Sequence, residues 1–337
     1  MKTGKKLLAG VLLALAVGAA GCGGGSPGGG TAPKPEVKAP PAVTVKAGEV
    51  EMTVQPLAGY SIKTENVFFA NGLCYAKGDF FIGDNDKKVL TAYKLSGAKV
   101  EVDKAMFKDG VYGELNTAKK EYPAAAGDGR IYFLCDGMKS TDGKEVKEAK
   151  NGRVFQVADG STADKAFFYR NIGQLSSGKL AGGDAADIAP FAVNGVEISL
   201  LNKVVVDGDM IYIAGQTTET GNDTNHIAAA VSMGGDLVRR FGENKRTDPR
   251  FIHMVGDAIP LEKYVIVGNK ADETLFVFKK ADGAFIGKVK VEDMLGGKTD
   301  IVNLAKVDNK TLGIHYRTDT RDTDKKYTYG LATVAMK

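Results

Sequence analysis

The chain is 337 residues long and has no tryptophan, only three cysteines and only three histidines. The cysteines form no C-x-x-C pair, which excludes the spacing of a zinc ribbon and of a haem attachment site. The motif G-x-S-x-G is missing too, and neither Cys74 nor Cys135 has a histidine near it in sequence. We therefore assign no catalytic residue and no metal ligand from the sequence.

Excess charge of one sign is also missing. The chain has 45 lysines and arginines against 41 aspartates and glutamates, a formal net charge of +4. The basic residues are spread along the chain, whereas binding to nucleic acid requires them to be clustered on one face. This composition excludes nucleic acid as a partner, while the 43% of hydrophobic residues is enough for a folded core.

The most apolar stretch of the chain, residues 7–20, is shorter than the roughly 20 residues of a membrane-spanning helix. Three of the first six residues are lysines, so the order of charge and apolar residues is that of a secretion signal. The stretch runs into Ala19, Ala20, Gly21 and Cys22, which resembles the lipobox of bacterial lipoproteins. An ordinary signal peptide with an incidental cysteine is the alternative.

The lipobox resemblance implies cleavage before Cys22 and attachment of fatty acids such as palmitate to that cysteine. We expect residues 1–21 to be the signal peptide, and lipid on Cys22 to hold the exported protein on the cell membrane or the outer membrane. Residues 22–42 contain five of the ten prolines and a run of glycines, without apolar periodicity. They are expected to be a tether.

Five segments of the body share a turn followed by an aromatic-rich strand. They are KGDFFIGD at 77–84, DGRIYFLCD at 128–136, DGDMIYIAG at 207–215, LEKYVIVGN at 261–269 and DNKTLGIHY at 308–316. Each follows a short apolar strand and precedes a third strand, predicted at 89–95, 153–157, 227–233, 274–279 and 327–334. Four of these third strands run into a turn, such as Ser96-Gly97 or Asp159-Gly160, that predicts a hairpin to a fourth strand.

This unit of four strands resembles the NHL and TolB-like families of β-propellers over most of residues 60–337. The resemblance implies an all-β fold, a β-propeller domain over residues 43–337 with five or six blades. Residues 168–199 are either a long insertion or the remnant of a sixth blade. The last segment lacks a fourth strand, and the alternating residues 43–54 are predicted to supply it and close the ring. A two-layer β-sandwich is the alternative fold.

The loops between second and third strands are acidic and would share one face of a propeller. The candidate binding face consists of Asp84, Asp86, Asp136, Asp142, Asp223, Asp272, Asp319, Asp322 and Asp324. Such a face favours a cation or a basic partner surface. The alternative is that these aspartates are there because turns are built from them.

His253 is the one histidine predicted on an innermost strand, where it is a candidate for lining the central channel. Cys74 and Cys135 are predicted on neighbouring blades in a compartment that permits disulfides, and two buried thiols are favoured over a bridge.

These patterns predict a membrane-anchored lipoprotein whose propeller is a non-catalytic binding or scaffold module for a protein or glycan of the cell envelope. No cofactor is expected. The alternative is a propeller enzyme, a lactonase, lyase or glycan-active hydrolase, that uses a divalent cation bound in the channel. A sensor or a chaperone-like accessory to an assembly machine is a third possibility. Because propellers host both enzymes and interaction modules, the fold does not decide between them.

Overall fold

The structure is a computed structural model that describes residues 38–67, 70–113, 123–135, 137–150 and 155–337. The predicted signal peptide, Cys22 and all but the last residues of the tether lie outside these ranges. The described part consists almost entirely of β-strands, with two short helices, α1 (Val291–Leu295) and α2 (Arg321–Asp324). Within it, no helix is long and apolar enough to cross a bilayer.

The N-terminal part of the fold is a hairpin followed by an antiparallel meander. Its strands are β1 (Val43–Ala47), β2 (Val50–Thr64), β3 (Ala70–Ala76), β4 (Asp79–Asp84), β5 (Val89–Ser96), β6 (Lys99–Val102) and β7 (Val111–Gly113). Strands β3 to β6 pair in sequence order, and β7 pairs with β5. Lys77 and Gly78 join β3 to β4 with positive φ angles, as a two-residue hairpin turn requires.

Four separate four-stranded antiparallel sheets follow along the chain. Their strands are β8 (Ala124–Ala125), β9 (Ile131–Leu134), β10 (Met138–Thr141) and β11 (Val146–Glu148); β12 (Gln156–Val157), β13 (Ala166–Arg170), β14 (Gln174–Ala181) and β15 (Asp184–Pro190); β16 (Ile198–Asp207), β17 (Met210–Thr217), β18 (His226–Ser232) and β19 (Leu237–Arg240); and β20 (Val255–Pro260), β21 (Tyr264–Asn269), β22 (Thr274–Lys279) and β23 (Phe285–Lys290). Second strands such as β4 and β9 are buried along their whole length, which explains their continuous apolar runs.

The two ends of the fold meet in one sheet. The last strands, β24 (Thr299–Lys306), β25 (Thr311–Asp319) and β26 (Tyr327–Met336), form a meander, and β2 pairs antiparallel with β26. The predicted closure by an N-terminal strand is confirmed, although β2 supplies it and β1 only pairs with β2. A single parallel bridge, Ala58 to Lys99, also joins β2 to β6, so this sheet contains ten strands. Gly59 allows that approach, because a Cβ there would lie 1.9 Å from the Val100 carbonyl oxygen.

The sheets follow one another around a common axis. The first strands of neighbouring sheets contact each other, β16 with β20 and β20 with β24, and β24 in turn contacts β3. Strand β3 contacts β8, while β9 contacts β12 and β13 contacts β16. This order returns to its starting point, so the fold is the predicted β-propeller arrangement rather than a two-layer sandwich.

One part of the predicted repeat is wrong. The third strand of the second segment is β10, whereas residues 153–157 were expected to form it; Gln156 and Val157 belong instead to β12, the first strand of the next sheet. Residues 168–199 are not a plain insertion, because they contribute to strands β13 to β16. The error arose because β9 and β10 are separated by only three residues, whereas the corresponding strands β17 and β18 are separated by eight.

Candidate functional site

The predicted acidic residues mostly lie at one end of the sheets, in the connections between second and third strands. This end, which also carries the connections from one sheet to the next, is called the loop face below. Asp84 ends β4 and Asp86 lies between β4 and β5, Asp223 lies between β17 and β18, Asp272 lies between β21 and β22, and Asp319, Asp322 and Asp324 lie around α2. Asp136 lies outside the described residues.

Asp142 was predicted on this face, and that placement is wrong. It lies in the turn between β10 and β11, which is at the opposite end of its sheet. Its backbone carbonyl oxygen accepts a hydrogen bond from Lys77 Nζ (2.8 Å), and Lys77 is in the β3–β4 turn at that same end. The cause is the short connection between β9 and β10, because the third strand of this segment begins earlier than the predicted repeat places it.

Four of the candidate aspartates on the loop face are paired with cations, and one of them, Asp84, lies 3.9 Å from Lys87. Asp319 lies 2.7 Å from Arg321, Asp322 lies 3.2 Å from Lys298, and Asp324 lies 2.8 Å from Lys63. The hydrogen bond from Lys63 lowers the pKa of Asp324 below its usual value. The densest acidic segment therefore presents much less negative charge than its sequence suggests.

Other acidic residues serve the local turns. Asp86 accepts a hydrogen bond from Asn66 Nδ2 (2.6 Å), Asp223 from the backbone N–H of Arg246 (2.6 Å), and Asp272 from Asn269 Nδ2 (2.9 Å). In the described part of the chain, no group of three or more His, Cys, Asp or Glu side chains is placed to hold a metal ion. The aspartates of the loop face thus act as turn residues.

Glu273 is a loop-face residue whose pKa is raised into the neutral range. It follows Asp272, and its Oε2 accepts a hydrogen bond from the backbone N–H of Ile301 (2.6 Å). Burial raises the pKa of Glu273 to about 7, despite the opposing hydrogen bond from Ile301. This carboxyl group can therefore gain or lose a proton near neutral pH.

His253 lies on the loop face, two residues before the first strand β20 begins at Val255. It is exposed, its ring stacks on Phe251 with centroids 6.0 Å apart, and its carbonyl oxygen accepts a hydrogen bond from Thr224 (2.9 Å). The predicted innermost strand thus starts later than the sequence suggested.

An apolar groove of about 530 Å³ also opens on the loop face, beside the start of β16. Leu175 and the partly buried Phe191, Val193, Val196 and Ile198 line it. Exposed Ile172 lies next in sequence to Gly173, a lining residue whose turn packs so closely that a Cβ there would lie 2.3 Å from the Ile198 carbonyl oxygen. The groove is not evident from the sequence, because its apolar side chains come from a segment with no predicted strand.

One lysine lies where the first strands meet. Lys203 in β16 is only 3% exposed, and its Nζ donates hydrogen bonds to the carbonyl oxygens of Leu73 in β3 (3.1 Å) and Leu304 in β24 (2.7 Å). Asp257 Oδ1 in β20 lies 4.0 Å from the same nitrogen. Lys203 therefore connects four first strands of the propeller, three of which reach it from other parts of the ring.

The free edge of each first strand explains why a lysine is buried at position 203. A first strand pairs with a second strand on one side only, so its other edge leaves carbonyl oxygens without a strand partner. The ammonium group satisfies two of these oxygens and balances the charge of Asp257. The one signal of this role in the sequence is a lysine inside the apolar run LLNKVVV at 200–206, and it was not among the predicted site residues.

The surroundings of Lys203 contain two further ionisable groups. Burial raises the pKa of Asp159, although the positive charge of Lys203 opposes this shift, and Asp159 Oδ1 accepts a hydrogen bond from the backbone N–H of Ala125 (3.0 Å). Burial also raises the pKa of the Cys74 thiol, and the nearby Asp159 adds to that rise. Cys74 and Cys135 are both buried and are not joined by a disulfide, as predicted. The positive charge of Lys203 would repel a divalent cation bound beside it among the first strands.

Comparison with known proteins gives structural likenesses only. No protein-family model matches the chain, and no curated protein sequence matches it. The chain is similar to the WD40 β-propeller domain of Doa1, with 14% identity, a TM-score of 0.49, and coverage of 86% of this chain and 91% of that chain. It is also similar to a streptogramin B lyase, with 8% identity, a TM-score of 0.47, and coverage of 87% and 100%. At such values these likenesses carry no argument about activity or partners.

Proposed function

We propose that this protein is an exported lipoprotein, held on a membrane by lipid on Cys22, whose propeller binds another component of the cell envelope. The support for the anchor is in the sequence: lysines, an apolar stretch and small residues precede Cys22 in the order of a lipobox. Residues 22–42 then act as the tether between the membrane and the propeller.

The propeller in this proposal has six blades. Four of them are the separate four-stranded sheets. The other two are the two meanders of the ten-stranded sheet, β3 to β6 and β24 to β26 with β2 as its fourth strand. The single parallel bridge between β2 and β6 joins the edges of these two blades.

The observation that carries the binding function is the apolar groove on the loop face. Phe191, Val193, Val196 and Ile198 are only partly buried there, so a partner that covers them would remove further apolar surface from water. The groove lies at the same end of the propeller as Asp86, Asp223 and Asp272, which accept hydrogen bonds from uncharged groups. A protein segment with apolar side chains flanked by basic residues complements this surface.

The anchor is tested by replacing Cys22. Bacteria that express Cys22→Ser are fed a palmitate analogue with a clickable group and then fractionated. We expect the parent to carry the label and to stay with the membranes, and Cys22→Ser to lose the label. Ser26→Ala, four residues further on, is the control and should behave like the parent. Retention of the label by Cys22→Ser would contradict the lipid anchor.

The groove is tested by a photo-cross-linking amino acid placed at Val193 or, as the control, at exposed Val238 in β19. We expect irradiated cells to give one discrete adduct from position 193 and none from 238. The adduct should disappear when Val196→Asp is added to the chain. Equal adducts from both positions, or an adduct that Val196→Asp leaves unchanged, would show that the groove is not the binding surface.

A further inference from the structure

A second cavity, of about 610 Å³, lies at the end of the sheets opposite the loop face. It opens between the sheet of β16 to β19 and the sheet of β20 to β23. Met210, Tyr212 and Tyr264 give it apolar and aromatic walls. The ring of Tyr212 packs against Phe241 with centroids 6.2 Å apart, which fixes its plane within the wall. We call this cavity the basic pocket, because of its rim.

The rim of the basic pocket carries Arg239, Lys263, Lys279 and Lys280. Lys280 is held by an ion pair with Asp207, and its carbonyl oxygen accepts a hydrogen bond from Arg239 Nη1. Lys280 Nζ also lies 6.0 Å from the centroid of the Tyr212 ring. The cations are thus positioned beside the aromatic wall by contacts with their neighbours.

Negative charge on the lining is smaller than positive charge. Glu49 and Glu262 are its acidic residues, and Glu49 lies 3.8 Å from Lys279. In the described ranges, neither Arg239 nor Lys263 has a carboxylate within 4.0 Å, so both keep their charge available for a ligand. The volume lies in the range of about 300–1,000 Å³ that is typical of small-molecule sites.

From this combination we propose that the basic pocket binds a small organic anion with a flat aromatic or apolar body. The body contacts Met210, Tyr212 and Tyr264, because aromatic walls favour flat rings. The carboxylate, sulfonate or phosphate group of the ligand faces Arg239 and Lys263, which donate charge-assisted hydrogen bonds. This site is distinct from the groove on the loop face and does not depend on the lipid anchor.

The test compares two dyes with the same ring body, anilinonaphthalene sulfonate and the uncharged phenylnaphthylamine, by fluorescence titration of the protein. We expect one sulfonate dye per chain, bound about tenfold more tightly than the uncharged dye because charge-assisted hydrogen bonds hold the sulfonate. The double variant Arg239→Gln/Lys263→Gln should weaken binding of the sulfonate about tenfold and leave the uncharged dye unchanged.

The control double variant is Arg170→Gln/Lys179→Gln, which removes the same charge from exposed positions of another sheet. It should leave both affinities unchanged, and thermal unfolding shows that each variant is folded. Tyr264→Leu should weaken both dyes, because it removes part of the aromatic wall. Equal affinity for the two dyes, or sulfonate binding that survives Arg239→Gln/Lys263→Gln, would overturn the proposal.

Discussion

His315 in β25 is fully buried, and its Nε2 lies 3.0 Å from the hydroxyl oxygen of Tyr60. Its ring is flanked by the rings of Tyr60 and Tyr329, with centroids 5.4 and 5.7 Å away. Burial lowers the pKa of His315 to about 3, and the positive charge of Lys270 adds to this fall. The neutral ring is therefore part of the folded state.

This pKa makes the stability of the fold depend on pH. In the unfolded chain a histidine has a pKa of about 6.5, so between about pH 6.5 and pH 3 only the unfolded chain takes up this proton. The contribution of His315 is complete above pH 6.5 and is lost as the pH falls. We expect it to cost about 2 kcal/mol of unfolding free energy between pH 7 and pH 5.

Urea unfolding at several pH values measures this cost. Between pH 7 and pH 5, the unfolding free energy of the double variant Tyr60→Phe/His315→Phe should fall by about 2 kcal/mol less than that of the parent. His253→Phe, which replaces an exposed histidine, should keep the parental slope. Parallel curves for the parent and the double variant would mean that His315 does not titrate between the two states.

At the scale of elements, the pairing of β2 with β26 joins chain segments that are far apart in sequence. The register runs from Met52 opposite Met336 to Thr64 opposite Tyr327. Met52, Val54 and Tyr60 of β2 are buried, so this strand contributes core packing as well as backbone hydrogen bonds. Without it, β26 would present a long unpaired edge.

Two truncated chains distinguish the contribution of β2 to stability from that of the residues before residue 38. A chain that begins at residue 38 keeps every described strand and should unfold cooperatively at the same temperature as the full chain, within about 2 °C. A chain that begins at residue 66 lacks β1 and β2 and should lose its cooperative transition and aggregate. Thermal unfolding followed by circular dichroism measures both. A cooperative transition in the shorter chain would show that β2 is dispensable.

The sequence predicted most elements of the repeat correctly, and its failures are local. The aromatic-rich second strands and the third strands near 89–95, 227–233, 274–279 and 327–334 are all found. These strands are buried on both sides between neighbouring sheets, and strands buried in this way consist of continuous apolar runs that can be recognised in the sequence. Strands β8 and β12 have only two residues each, which is too short for any periodicity.

At the scale of the whole molecule, Lys203 connects parts of the ring that are distant in sequence. Its bonds to Leu73 and Leu304 span separations of 130 and 101 residues. Removing its charge leaves two carbonyl oxygens and the buried carboxylate of Asp257 without their partner. Breaking a buried ion pair on one side commonly costs about 3–5 kcal/mol.

We therefore expect Lys203→Met to lower the unfolding free energy by about 3 kcal/mol or more, measured by urea unfolding. The double variant Lys203→Met/Asp257→Asn should recover part of that loss, because the side chain of residue 257 then carries no charge that needs the cation. Lys179→Met, at an exposed position, is the matched control and should change stability by less than about 0.5 kcal/mol. If Lys203→Met were as stable as this control, Lys203 would not hold the ring together.

The sequence by itself determined the all-β class, the closure of the ring by an N-terminal strand and the buried cysteines, because alternation, turn residues and burial are local properties of the chain. The lipid anchor on Cys22 remains a prediction from the sequence. Only the tertiary structure showed that the aspartates of the loop face are largely engaged in turn contacts and ion pairs, and that Asp142 lies at the opposite end of its sheet. It also revealed the contacts of Lys203, the groove and the basic pocket. The contacts of Lys203, the groove and the basic pocket depend on residues from different sheets, and no spacing along one strand shows which residues of another sheet will face it.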